Sequence, residues 1–155
     1  MSKPGPDHPR HLHSLHRATM WLRKARRAEM EPFGLHPLQG YVMHLIHDAG
    51  EDGLPLSALA RHLSVSPARV THVIDDCERD GLAVRERDAE DRRVWRVKLT
   101  PKGHELHGVL HPRHLEMEDW LVSCFSDEEY EQLSALLDRL VEHLKSRFGQ
   151  AEDEE

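Results

Sequence analysis

Residues 56–81 constrain the fold of this 155-residue chain more than any other segment. Leu59, Ala60 and Leu63 have the spacing of a short helix, residues 64–66 predict a tight turn, and Gly81 ends a second helix. The second helix carries apolar residues at positions i, i+3, i+4 and i+7, namely Val70, Val73, Ile74 and Cys77. Two short helices joined by a three-residue turn predict a helix-turn-helix at about residues 56–80.

The start of the second helix is suited to contacts with a partner. Ser66 followed by Pro67 is typical of a helix start, with a hydroxyl that caps the first turn and a proline at the first helical position. Arg69, Thr71 and His72 lie off the apolar stripe. Helices that enter the major groove of double-stranded DNA contact it with such side chains in their first turns. We therefore predict that these five residues contact DNA.

The residues after Gly81 change from helical to strand periodicity. Residues 82–84 and 94–99 predict two strands, and the charged loop between them predicts a hairpin over about residues 83–99. A hairpin directly behind a helix-turn-helix is a wing. Arg92 and Arg93 lie at its tip, where arginines are attracted to the negative potential of a narrow minor groove. Asp91 is predicted to brace a neighbouring guanidinium.

The remaining segments predict helices around this unit. We expect a loose tail at residues 1–10, a first helix at 11–30, and a second helix that begins at Pro37. The apolar face of the second helix is predicted to comprise Leu38, Tyr41, Val42, Leu45 and Ile46.

Two long helices are predicted in the C-terminal third. Thr100-Pro101 begins a helix that Pro112 should kink or break, and Ser126 with Glu129 forms a capping box for the last helix. The last helix has a long apolar stripe that would be costly to expose on a monomer, so we expect this face to be covered in a dimer. Residues 149–155 predict an acidic tail. The predicted fold is mostly α with a small β wing, with six helices and one hairpin in an obligate-type homodimer.

Charge and composition are compatible with a nucleic-acid partner and exclude disulfide-rich and membrane-spanning proteins. The net charge is −7, but residues 54–103 carry two more basic than acidic side chains, while residues 104–155 carry ten more acidic than basic ones. A polyanion responds to the local patch rather than to the total. Two cysteines exclude a disulfide scaffold, and no apolar run reaches membrane-spanning length or suits a signal peptide. We expect a cytoplasmic protein with no membrane partner.

The pattern over residues 54–106 resembles the MarR family of winged-helix transcription regulators. The residues that carry the resemblance are Leu59-Ala60, Leu63, Val70-Thr71, Ile74-Asp75, Glu78, Gly81-Leu82, Asp88, Asp91-Arg92-Arg93, Leu99-Thr100 and Gly103. The resemblance implies a homodimeric regulator, commonly a repressor, that binds a palindromic operator and responds to a small-molecule effector. It implies that residues 11–30 and 101–148 form the dimer interface. It also places a minor-groove arginine at Arg93 and its acidic brace at Asp91.

The residues of the resemblance do not name an effector, and they require no cofactor. His104, His107, His111 and His114 share one arc of the fifth helix, and the family includes zinc-sensing members. These histidines are candidate metal ligands, although they also fit a solvated face and a pH response. Trp21 and Asp75 resemble effector positions of the urate-responsive branch, but no partner arginine can be assigned.

Three other functions are weaker alternatives. A winged helix that contacts only protein would not need Arg92 and Arg93 at its tip. An enzyme would need a catalytic or metal motif such as HExxH or GxSxG, and the sequence has none, so we expect no enzymatic activity. Redox sensing is not favoured, because Cys77 falls on a buried stripe and Cys124 lies near a helix end.

Overall fold

A computed structural model describes residues 8–63 and 65–148 of the chain. Within these residues six helices surround one small antiparallel sheet, so the mostly α fold with a β wing is confirmed. The helices are α1 (His8–Met30), α2 (Pro37–Asp48), α3 (Leu56–Leu63), α4 (Pro67–Arg79), α5 (Pro101–Val122) and α6 (Asp127–Phe148). The strands are β1 (Leu54–Pro55), β2 (Ala83–Arg87) and β3 (Trp95–Leu99).

The starts of α4, α5 and α6 are set by the predicted caps. The Ser66 hydroxyl accepts the Arg69 N–H at 3.3 Å at the start of α4. The Thr100 hydroxyl accepts the Gly103 N–H at 3.1 Å and begins α5. At α6 the Ser126 N–H donates to the Glu129 carboxylate at 2.9 Å, and the Glu129 N–H donates back to the Ser126 hydroxyl at 3.3 Å. The capping box is therefore confirmed.

The sheet has the strand order β1-β3-β2. The hairpin pairs Ala83 with Leu99 at its base and Arg87 with Trp95 near its tip. Sequence analysis missed β1, which pairs with the outer edge of β3 and has only two residues, one of them a proline. A strand so short at a sheet edge leaves no periodic pattern in the sequence.

The core lies between α2, α3, α4, the sheet and the first half of α5. It contains the complete predicted stripe of α4, and its largest fully buried side chains are Met43, Ile46, Leu59, Ile74, Leu82, Val42, Val70, Val97 and Cys77. One prediction for α2 is wrong, because Tyr41 is exposed and Met43 and Gln39 are buried in its place. The Gln39 amide donates to the Asp80 carboxylate at 3.0 Å, which satisfies a polar group inside the core.

Two predicted boundaries change. Helix α1 begins at His8, so residues 8–10 belong to the helix and not to a tail; residues 1–7, residue 64 and residues 149–155 lie outside the described residues. Helix α5 continues through Pro112 without a break. Proline removes the N–H that would donate to the carbonyl of residue 108 and its ring crowds that carbonyl, but the buried His107 and Leu110 hold the preceding turn in place.

The outer helices leave large apolar side chains uncovered by their own chain. Trp21 on α1, Trp120 on α5 and Phe148 on α6 are 63%, 70% and 60% exposed. Tyr130, Leu137, Leu140, Val141 and Leu144 along the predicted α6 stripe are also exposed, and Leu133 is only half-buried. No helix in residues 8–63 and 65–148 has the length and hydropathy needed to cross a bilayer.

Candidate functional site

The first turns of α4 present the predicted contact residues to solvent. Ser66, Pro67, Arg69, Thr71 and His72 are all exposed, and the opposite side of the helix is buried in the core. A helix fixed on one face and free on the other, with its N-terminal N–H groups accessible, is suited to a groove lined by phosphates. The structure thus places all five residues on one accessible surface.

The wing is attached to α4 by Arg85, which sequence analysis missed. Its guanidinium lies 2.7 Å from the Asp75 carboxylate and also pairs with Glu78. The same guanidinium donates to the Thr71 carbonyl at 3.1 Å, and the Arg85 backbone N–H donates to Glu78 at 2.8 Å. These bonds hold the hairpin at a defined position relative to the exposed turns of α4. An arginine on a strand beside a helix with two acidic residues is a weak signal, because its partners depend on tertiary packing.

The turn at the wing tip is built around Asp88. One carboxylate oxygen accepts the backbone N–H groups of Glu90 and Asp91, each at 2.9 Å, and the other accepts the Arg96 guanidinium. These hydrogen bonds, that of the Asp91 N–H first, lower the pKa of Asp88 to about 2. Asp88 was part of the family pattern, but its role as the organising residue of the turn was not predicted.

The arginines at the tip remain free to contact a partner. Arg92 and Arg93 are both exposed. The Asp91 carboxylate accepts the backbone N–H of Arg93 at 2.9 Å, and the described residues contain no contact between it and either guanidinium. The prediction that Asp91 braces a guanidinium is therefore wrong. The Asp91 carboxylate binds the backbone of Arg93 and does not hold the Arg93 side chain.

The stem of the wing is stiffened by a second arginine. Arg87 lies over the Trp95 ring at 3.9 Å and donates to the Arg92 carbonyl at 2.8 Å. The cation–π contact and the hydrogen bond connect the two strands just below the tip. The wing thus presents Arg92 and Arg93 from a braced support.

A cavity of about 700 Å³ lies between α1, α2, α5 and the start of α4. Its apolar wall includes Met30, Leu38 and Leu110, and its polar wall includes Arg26, Glu29, His44, Arg69, His107, His111, His114 and Glu118. Arg69 therefore lines the cavity and also belongs to the exposed turn of α4. The cavity thus extends to the predicted DNA-contacting surface.

The histidines of α5 meet two histidines of α2 that sequence analysis missed. His44 stacks on His107 and His111, with ring centroids 5.7 and 5.5 Å apart, and His47 stacks on His107 at 3.9 Å. His104 lies edge-on to His47 at 5.6 Å. His44 and His47 are three residues apart on one helix, so their shared face was visible in the sequence, but their packing against α5 was not.

Six residues, His44, His47, His104, His107, His111 and His114, form a histidine cluster, and the pKa values of His107 and His114 are lowered. His107 is 5% exposed, and burial followed by the charges of His47, His111 and His44 lowers its pKa to about 4. Burial and the Arg26 guanidinium also lower the pKa of His114. His107 is therefore neutral at pH 7, with a nitrogen lone pair available.

The other weak candidates lie elsewhere. Trp21 is exposed, with the Lys24 ammonium 4.7 Å from its ring, and it does not line the cavity. Asp75 is paired with Arg85 and does not line the cavity either. Cys77 is buried, which raises the pKa of its thiol to about 12 and makes it unreactive, while Cys124 is exposed.

Comparisons with known proteins identify the family. The model of the MarR family matches residues 33–94. The chain is 30% identical over 107 residues to the HTH-type transcriptional regulator MhqR of Bacillus subtilis (strain 168), covering 69% of this chain and 72% of MhqR. This chain belongs to the MarR family. The resemblance inferred from residues 54–106 is confirmed.

Two further matches agree with this membership. The HTH-type transcriptional repressor YetL of B. subtilis (strain 168) is 29% identical over 103 residues, covering 66% of this chain and 62% of YetL. The crystal structure of the MepR–DNA complex of S. aureus superposes with a TM-score of 0.78 at 27% identity, covering 84% of this chain and 93% of MepR. This MarR-family chain is a DNA-binding transcription regulator and not an enzyme.

Proposed function

We propose that this MarR-family chain is a homodimeric repressor that binds a palindromic operator and is controlled by a small-molecule effector. The observation that carries the proposal is the rigid pairing of two exposed elements, the first turns of α4 and the tip of the wing, through Arg85 and its partners Asp75 and Glu78. This pairing suits simultaneous reading of a major groove and the neighbouring minor groove.

The exposed helices support the homodimer. Apolar side chains of α1, α5 and α6 lie uncovered along continuous faces, and a second copy of the chain would cover the same faces on both protomers. A two-fold axis would then place two copies of α4 about one DNA turn apart, or roughly 10 bp between half-sites. Palindromic operators follow from this symmetry.

The cavity beside α4 supports effector control. Its apolar wall suits a ring or hydrocarbon body, and Arg26 with the histidines supplies polar contacts. Because Arg69 lines the cavity, an occupant would shift the first turn of α4 and thereby change the affinity for DNA. The name of YetL supports a repressor, since that relative is described as one.

The test is binding of the full chain to the DNA upstream of its own gene, titrated against salt. We expect two chains per site, a steep loss of affinity with salt and nanomolar binding, against roughly 10⁻⁴–10⁻⁶ M for a scrambled duplex. Equal affinity for both duplexes, repeated with a library of random palindromes, would exclude a sequence-specific operator.

Effector control is tested in the same assay with a phenolic acid such as salicylate. We expect the acid to weaken operator binding by the wild-type chain. The Leu38→Trp variant, whose larger side chain occupies the cavity, should bind operator and lose this response. An equal response in wild type and Leu38→Trp would place the effector outside this cavity.

A further inference from the structure

Three members of the histidine cluster present donor atoms to one another. His44 Nδ1 and His107 Nε2 are 3.4 Å apart. One donor atom from each of His44, His107 and His111 can be chosen so that all three lie within 4.8 Å of one another. The ligands come from two helices, since His44 lies on α2 and the other two lie one turn apart on α5. Such a set is held by packing and not by a flexible loop.

These spacings match the coordination sphere of a small transition-metal ion. A zinc–imidazole bond of about 2.0–2.1 Å in a tetrahedral site separates two ligand nitrogens by about 3.3–3.4 Å. The His44–His107 separation already has this value. The three donor atoms lie within 4.8 Å of one another, so the remaining separations need to shorten by at most about 1.5 Å, which a change of side-chain torsion supplies.

Asp48 lies behind His44, as carboxylates lie behind the histidine ligands of many metal sites. The second ring nitrogen of His44, Nε2, lies 3.5 Å from the Asp48 carboxylate, which leaves Nδ1 directed at His107. A carboxylate behind a histidine fixes the ring and increases its strength as a ligand.

In the part of the chain that the structure describes, one oxygen of a buried carboxylate beside the cluster has no hydrogen-bond donor, although Arg26 donates to the other oxygen, Oε2, at 3.5 Å. The Glu29 side chain is 5% exposed, and its Oε1 accepts no hydrogen bond within the described residues. This atom is 3.8 Å from His114 Nδ1, and Glu29 lines the same cavity as the three histidines. An unsatisfied buried oxygen is costly, and a nearby cation removes that cost.

We propose that His44, His107 and His111 bind one divalent transition-metal ion of the zinc type, with the fourth position open to the cavity, and that the bound ion changes the affinity for DNA. The second half of this proposal rests on the proposed function. This ligand set differs from the one predicted from the sequence, because it includes His44 and omits His104 and His114. Three imidazoles favour zinc, nickel or copper over magnesium or calcium, which prefer oxygen donors.

The position of the site gives the ion a route to the DNA-contacting surface. Helix α2 packs against both α4 and α5, so an ion that draws His44 toward α5 changes the support of α4. The cavity beside the ligands extends to Arg69 in the first turn of α4. A change in the spacing of the two α4 helices in a dimer changes the fit to an operator.

The first experiment measures metal binding without DNA. Full chain freed of metal with a chelator is titrated with Zn²⁺ against a chromophoric competitor, and with Co²⁺ by visible absorption. We expect one ion per chain, intense tetrahedral Co²⁺ bands, and no competition by Mg²⁺. The His44→Gln and His111→Gln variants should each bind Zn²⁺ at least about 100-fold more weakly, because loss of a ligand exceeds the 10–100-fold cost of losing a second-shell partner.

The matched control is His104→Gln, which removes an exposed histidine of the same cluster. It should keep the wild-type zinc affinity. Both ligand variants are half-buried, and far-UV circular dichroism checks that they fold; if either unfolds, Asp48→Asn takes its place, with an expected loss of 10–100-fold. Equal affinity in wild type and a folded ligand variant, or an equal loss in His104→Gln, would overturn the site.

The second experiment measures operator binding by the metal-free and the zinc-loaded chain. We expect the affinity to differ at least about 5-fold between the two states in wild type and not in His44→Gln. Zinc binding with no change in operator affinity would overturn the regulatory half. A chain that binds zinc but no DNA would instead count against the proposed function, since the metal titration stands alone.

Discussion

Two regions of this molecule differ in whether their apolar side chains are buried. In the inner lobe, formed by α2, α3, α4, the sheet and the first half of α5, the apolar residues are buried by the chain itself. In the outer helices, formed by α1, the second half of α5 and α6, residues such as Trp120 and Leu144 remain exposed. Helix α6 has no buried residue although its apolar stripe is the longest in the sequence.

This difference separates what one chain completes from what it leaves to a partner. A single chain is sufficient to pack the lobe that carries α4 and the wing. The outer helices instead present faces whose burial needs another surface, and a second copy supplies it under the proposed function. Four sets of substitutions test this division.

The largest effect is expected from a charge on the α6 face. Leu137→Glu would place an unpaired carboxylate in the dimer interface, at a cost of about 3–5 kcal/mol. Sedimentation equilibrium should show a dimer in wild type and a monomer in the variant. Ala135→Glu adds the same charge on the opposite side of α6 and should remain dimeric. A dimeric Leu137→Glu variant would show that this face is not the interface.

A cavity in the inner lobe should reduce stability without changing the subunit contacts. Ile74 is fully buried, and Ile74→Ala should lower the free energy of unfolding by about 2–5 kcal/mol. Urea denaturation of the variant measures the loss, with the exposed Thr71→Ala as its control. Similar losses of unfolding free energy in both variants would show that burial of Ile74 does not stabilise the inner lobe.

A smaller effect is expected on DNA affinity from the wing tip. Arg93→Ala should weaken operator binding by about 1–3 kcal/mol and leave the dimer and its stability unchanged. Fluorescence anisotropy at fixed salt provides the measurement. Arg139→Ala removes an equal charge from the side of α6 opposite its apolar stripe. An equal loss of affinity in both variants would show that Arg93 acts only through the net charge of the chain.

The smallest effect is expected at the cap of α4. Ser66→Ala removes the acceptor of the Arg69 N–H and should lower stability by about 0.5–2 kcal/mol. Thermal unfolding measures this loss, and Ser66→Asp, which keeps a capping oxygen, should restore it. Failure of Ser66→Asp to restore stability would show that the hydroxyl matters for a reason other than the cap.

Local features of the sequence predicted the elements of the inner lobe well. The stripe from Val70 to Cys77, the caps at Ser66 and Thr100, and the hairpin behind Gly81 are all confirmed. Each depends on contacts within a few residues or on a single periodicity. The exception is α2, where Gln39 is buried because a distant acceptor, Asp80, satisfies its amide.

The site was predicted in part, because its parts come from distant segments. The exposed residues of α4 and of the wing tip were identified, but Arg85, which connects them, was not. The histidines of α5 were identified as a set, yet His44 and His47 enter only where α2 packs on α5. Asp91 was predicted to bind the guanidinium of a neighbouring arginine, but the turn directs its carboxylate to the backbone N–H of Arg93.

The sequence by itself determined the helix-turn-helix, the wing and the membership in the MarR family, because periodicity, caps and turn residues act over short distances. Tertiary structure decided which side chains share one environment. His44, separated from His107 and His111 by more than sixty positions, lies beside them because two helices pack together. Burial and electrostatic contact depend on separation in space, and the linear order of residues does not contain that separation.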